Sequence, residues 1–190
     1  LADSTGAYLR MAEISEKLAR YEDQESYLRK ALTTAKEPRS VYRILGDVYS
    51  RMGKDDAAIK SYEQALGLAG QDSGLYESIA TIYEKREDPV KAVEYFKKSL
   101  DSDLGRKGLY RRIADNAQRS GNTGLAVEYY NKYLESNPAA KEVNISIGDI
   151  LYSKGEYKDA LEYFKKGVES LDDSTGAYLR MAEISEKLDR

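Results

Sequence analysis

The amino-acid sequence predicts an all-α fold, a solenoid of helix-turn-helix repeats, and three observations lead there. The segment 3–18 recurs unchanged at 173–188, an offset of five 34-residue periods. A fixed period of this length marks an array of helical pairs. Within each period small, apolar and aromatic residues return at spacings of three and four, which places them on one helix face. Finally, no apolar run approaches the roughly 18 residues of a membrane span, so the helices must cover their apolar faces with one another.

The phase divides the chain into units 5–38, 39–72, 73–106, 107–140 and 141–174 and a half unit 175–190, read as one continuous domain. In the first unit Tyr8, Met11 and Ala12 mark a first helix, and a second is expected over 22–35. That second helix departs most from the pattern, with Gln24 where Ala is expected and Ala19 where Gly is. The second unit has Tyr42, Leu45 and Gly46, then a break at Gly53, then Ala58, Tyr62 and Leu66. The third has Tyr76, Ile79 and Ala80, then Ala92, Phe96 and Leu100; its break is Asp88-Pro89, an N-cap followed by proline at the first helical position. The fourth repeats the scheme with Tyr110, Ile113, Ala114, Gly121, Ala126, Tyr130 and Leu134, and the fifth with Asn144, Ile147, Gly148, Gly155, Ala160, Phe164 and Val168. The half unit carries Tyr178, Met181 and Ala182. The small column Ala12, Gly46, Ala80, Ala114, Gly148, Ala182 is expected to let two helix backbones approach. Gly53, Gly121 and Gly155 suit the left-handed residue that ends a helix. Pro38 and Pro138 fall between units, and Ser40, Ser73 and Ser174 are expected as caps.

An aromatic, a large apolar and a small residue in the first helix, then Ala and an aromatic in the second, make the chain from residue 5 onward similar to the tetratricopeptide repeat family. Another helical-pair solenoid of the same period is the alternative. The resemblance implies a right-handed superhelix whose first helices line a concave groove for an extended peptide or a partner helix. The groove places are Leu9, Glu13, Arg43, Asp47, Glu77, Thr81, Arg111, Asp115, Ile145, Asp149 and Tyr152. Family members that grip the C-terminal carboxylate of heat-shock chaperones use Asn at places that here hold Glu13, Asp47 or Asp115. A carboxylate would meet like charge there, so that partner is excluded. Arg43 with Asp47 and Arg111 with Asp115 stand four apart and are expected to pair along their own helices.

Composition narrows the function further. With no Cys and no His, thiolate and imidazole metal ligands and the commonest general base are missing, so no catalytic residue, metal or cofactor is expected. The 30 basic against 33 acidic side chains are interleaved, which argues against nucleic acid or a membrane surface as partner. Asp55-Asp56 and Asp172-Asp173 read as charges at helix starts, and Gly105-Arg-Lys-Gly108 as a turn, not a phosphate loop. The 17 tyrosines read as packing residues, with Tyr152 the exception expected on the inner surface.

The reading that follows is a non-enzymatic scaffold that binds a protein or peptide. Two alternatives stand beside it. The last helix keeps Tyr178, Met181, Ile184 and Leu188, an apolar surface wanting a partner, so the chain can be a building block that associates head to tail. It can also be a repeat region excised from a larger enzyme or complex. Residues 1–20 and 171–190 differ only at Ala2/Asp172 and Ala19/Asp189, and the copy reaches both ends of the chain, which points to an engineered or trimmed chain. Leu1 in place of Met points the same way, to a processed or excised product.

Overall fold

The computed structural model describes residues 4–168 and 175–188. Those residues form eleven α-helices and no strand: α1 (Thr5–Lys17), α2 (Tyr21–Leu32), α3 (Arg39–Arg51), α4 (Asp55–Ala69), α5 (Ser73–Lys85), α6 (Pro89–Ser102), α7 (Leu109–Arg119), α8 (Thr123–Ser136), α9 (Glu142–Ser153), α10 (Tyr157–Val168) and α11 (Thr175–Leu188). The chain divides into two compact units, Leu1–Leu104 and Gly105–Arg190. In the first, α1 packs on α2, α3 on α4 and α5 on α6, and α2 and α4 each lean on the following first helix. In the second, α7 packs on α8 and α9 on α10, while α8 meets α9 and α10 meets α11.

One contact recurs in the hairpins that follow the first. Ala58, Ala92, Ala126 and Ala160 of the second helices are fully buried, and so are the aromatics one turn on, Tyr62, Phe96, Tyr130 and Phe164. The small column of the first helix faces these rings. A Cβ added at Gly46 would collide with the Tyr62 ring, and one at Gly148 would lie 2.8 Å from the Phe164 ring. Ala80 and Ala114 hold the same place in their units and are fully buried.

The turns between paired helices repeat as strictly as the core. Residues 19, 53, 87, 121 and 155 all have positive φ, at 52°, 70°, 58°, 78° and 77°. In each unit the next amide donates to a carbonyl five residues back: Arg20 to Ser15, Lys54 to Tyr49, Asp88 to Tyr83, Asn122 to Ala117 and Glu156 to Leu151. That is the bond that closes a Schellman-type helix end. Ala19 and Glu87 therefore adopt the left-handed conformation without being glycine. The third unit, expected to break differently, uses the same turn and adds a cap: Asp88 Oδ1 accepts from the Lys91 amide at 3.1 Å, with Pro89 at the first helical position. Asn122 caps α8 likewise, accepting from the Leu125 amide at 3.2 Å.

Three expectations are corrected. Ser73 is not the cap of α5; Asp72 holds the extended position before it and accepts from the Leu75 amide at 3.1 Å. Ser40 lies inside the first turn of α3, because Pro38 already has helical angles and accepts from the Tyr42 amide. The helix expected over 22–35 runs Tyr21–Leu32; beyond it the Thr33 and Thr34 amides bond three residues back, to the Lys30 and Ala31 carbonyls, and their hydroxyls donate to the same oxygens. Ser174 and Asp172-Asp173 lie outside the described residues. Asp55 and Asp56 do open α4, where Arg86 reaches both at 3.3 and 2.7 Å, and 105–108 is a turn before α7.

Two expected outcomes follow for a denaturant titration. Gly46→Ala should destabilise the chain by about 1–3 kcal/mol, since the Tyr62 ring is buried and hydrogen-bonded and cannot swing away freely. Ala19→Gly or Glu87→Gly should stabilise it by roughly 0.5–1 kcal/mol, the relief at positive φ exceeding the entropy that glycine adds to the unfolded chain.

Candidate functional site

The first helices of each unit stand side by side. In the first unit Arg51 of α3 pairs with Glu16 of α1, and Arg39 of α3 pairs with Asp72 at the start of α5 at 2.6 Å. In the second, Arg111 of α7 reaches Glu142 of α9 at 3.2 Å, and Arg180 of α11 reaches Asp149 of α9 at 3.7 Å. These rows carry the places expected to form a groove.

Leu9, Glu13 and Asp47 come together around one cavity of about 320 Å³ between α1, α2 and α3. Its apolar lining includes Ala12, Leu28, Ile44 and Val48; its polar lining includes Arg10, Glu16, Gln24 and Arg51. Three of those groups are already engaged: Glu13 holds Lys17 at 2.9 Å, Glu16 holds Arg51, and Asp47 accepts from the Tyr62 hydroxyl at 2.8 Å. Gln24 is not. It is almost fully buried, and its Oε1 has no hydrogen-bond partner. Burying an unpaired amide group costs about 1–3 kcal/mol. The Ala that other units have at this place would carry no such cost.

Elsewhere the expected places scatter. Glu77 and Thr81 border a shallower cavity of about 330 Å³ with Ser50, Tyr62, Gly74, Ser78 and Ile82. Arg43 is exposed beside Arg39, Ser40 and Asp72. In the second unit the places are occupied by neighbours. Arg111 lies over the Tyr133 ring at 5.9 Å as well as against Glu142. Ile145 packs on the backbone of Gly167, where a Cβ would collide with it. Tyr152 donates to Glu183 at 2.7 Å and lies under the Arg180 guanidinium at 4.6 Å.

The pairing expected along single helices holds only in part. Arg111 reaches Asp115 at 3.9 Å, but Asp47 takes its hydrogen bond from Tyr62, and Arg43 has no ion pair among the described residues. Asp115 likewise accepts from the Tyr130 hydroxyl at 2.7 Å. Sequence reasoning missed these bonds, although the signal was present: tyrosine in the second helix accompanies aspartate 15 residues earlier in two units. Where the ring is Phe164 there is no hydroxyl, and Asp149 turns to Arg180 instead. Burial first, then the hydrogen bond to the carboxylate, pushes the Tyr62 and Tyr130 phenols well above their ordinary pKa.

Among the described residues no cluster of three or more acidic side chains is placed to hold a metal ion, and no helix is long and apolar enough to cross a membrane. Profiles described as tetratricopeptide repeat match residues 5–38, 41–76, 75–108 and 111–175. Among solved structures, MamA aligns with a TM-score of 0.73 at 19% identity, over 90% of this chain and 93% of its own. YrrB, a protein with an unusual peptide-binding site, aligns at 0.69 and 17% identity, over 94% and 90%. A repeat protein from Parabacteroides merdae aligns at 0.71 and 16% identity, over 98% and 74%. No curated protein sequence matches the chain.

The tyrosine–aspartate bonds carry a signed pH dependence. A phenol whose folded pKa is raised adds stability that is complete below its unfolded value, near pH 10, and lost above it. Tyr62→Phe with Tyr130→Phe should lower stability at neutral pH by about 0.5–1.5 kcal/mol per bond. The same pair should flatten the fall of the melting temperature above pH 10, read by circular dichroism; an unchanged alkaline slope would assign that loss to other groups.

Proposed function

The chain belongs to the tetratricopeptide repeat family, and from that premise we propose that it is a non-enzymatic scaffold that takes an extended peptide or partner helix along its first helices. Tetratricopeptide repeats in general bind proteins and are not catalysts. The single observation that carries the finer reading is the cavity between α1, α2 and α3. It joins three expected groove places, an apolar floor and a buried Gln24 amide whose carbonyl lacks a donor. A concave, mostly apolar site with a few convergent polar groups is the usual form of a recognition pocket. Glu13 and Asp47 at its rim add acceptor oxygens. The fitting occupant is a side chain with an apolar stem and a donor tip, lysine or arginine, on a bound peptide. The peptide-binding site of YrrB, a protein of the same fold, supports the class of ligand by analogy alone.

Association of chains end to end, the alternative expected from the copied helix, is compatible with this role. The unequal burial of α1 and α11 favours it.

The test is a peptide array probed with the chain and two variants. The parent should retain peptides with a central Lys or Arg over those with norleucine there. Asp47→Lys should reduce that retention by about tenfold or more, roughly 1.4 kcal/mol. Gln24→Met should raise unfolding stability by about 1–3 kcal/mol through loss of the unpaired amide, and weaken the same peptides. Retention that ignores the basic residue, or survives both substitutions, would overturn the reading.

A further inference from the structure

The helix that occurs twice in the sequence is buried on opposite faces in its two settings. In α1, Ala12 and Ser15 are buried and Leu9 is partly buried against the core of the first unit, while Ile14 is 58% exposed. In α11 the copy of that isoleucine, Ile184, is 0% exposed, and Ala182, Ser185 and Leu179 are exposed. Each copy therefore covers the face that the other leaves in solvent.

The ion pairs divide in the same way. Glu16 of α1 reaches forward to Arg51 of the following first helix, whereas its copy Glu186 is exposed. Arg180 of α11 reaches back to Asp149 of the preceding first helix, whereas its copy Arg10 is exposed. A first helix inside a repeat array has neighbours on both sides and uses both sets. Here the two sets are divided between α1 and α11.

We propose that a second copy of this chain completes it. The α11 helix of one molecule keeps its hold on α9 and α10 and lays its exposed face into the seat of α1 on α2 and α3 of the next molecule, displacing α1 there. The seat is already shaped for this side-chain set, because the two helices are identical from Thr5 to Leu18 and from Thr175 to Leu188. Glu186 would then meet Arg51 of the next copy as Glu16 does now. The displaced α1 is short enough to be marginal as an isolated helix, so its release exposes little fixed structure. A contact of this kind is heterologous: it uses different surfaces of the two molecules and gives open chains or rings, not a two-fold dimer.

The test exploits a substitution that is silent in one copy and disruptive in the other. Ala182 is exposed, but its counterpart Ala12 is 2% exposed. In sedimentation velocity, the parent chain should form larger species as concentration rises from micromolar to millimolar. Ala182→Glu should raise the concentration needed by about tenfold or more while leaving circular dichroism unchanged, because the charge would be buried in the seat. Ala12→Glu should do the reverse, loosening α1 and freeing its seat. A synthetic peptide of residues 171–190 added to the parent should shorten the assemblies whether or not Ala12→Glu folds. Assembly by Ala182→Glu at parental concentrations, a parent that stays monomeric throughout, or indifference to the peptide would each overturn the exchange. Suppression by both substitutions would also overturn it, since α1 would then be a docking surface and not the helix displaced.

Discussion

The close approach of a small first-helix residue to an aromatic ring of the second helix, tightest at Gly46 and Gly148, governs the hairpins that follow the first. At Gly46 and Gly148 there is no room for a Cβ beside Tyr62 and Phe164. Ring and backbone thus touch directly, and the hairpin closes at a fixed spacing. From that contact the ring's far edge emerges near the first-helix residue that follows the small one. When the ring is tyrosine its hydroxyl meets Asp47 or Asp115. A packing rule of the core in this way decides which carboxylates on the first-helix row are held and which, like Asp149, are left to a neighbouring helix.

The turns show the same precedence of tertiary geometry over local preference. Five units place a residue at positive φ in the same position and close the helix with the same backbone bond, although two of the five residues are Ala19 and Glu87. A non-glycine residue in this conformation is strained by about 1–2 kcal/mol. The strain persists because the following helix must pack back on the first, and only this turn delivers it. Asp88 and Asn122, next in sequence, cap the helix so placed.

The first unit departs from its siblings where recognition is proposed. Its second helix still forms over Tyr21–Leu32, and Leu28 and Ala31 are fully buried, so Gln24 is tolerated by the fold and not required by it. An unpaired buried amide beside a cavity is a local inconsistency of the sort that natural proteins keep at functional places. The other units fill the same position with Ala, at Ala58, Ala92, Ala126 and Ala160.

Sequence alone determined the fold class, the repeat family and the residue types that recur in the core columns. Those features depend on spacing along one helix, and a 34-residue period repeats them often enough to be read. Gln24 was visible as a departure, and Tyr62 with Asp47 as a recurring pair of residue types. Their meaning was not visible, since an amide without a donor and a hydroxyl with an acceptor are defined by atoms brought from other helices. The duplicated segment gives the sharpest case. One string of residues buries Ala12 and exposes Ile14 at one end, then exposes Ala182 and buries Ile184 at the other. Helical periodicity fixes which side chains share a face. Which face is covered depends only on the neighbour that tertiary structure supplies.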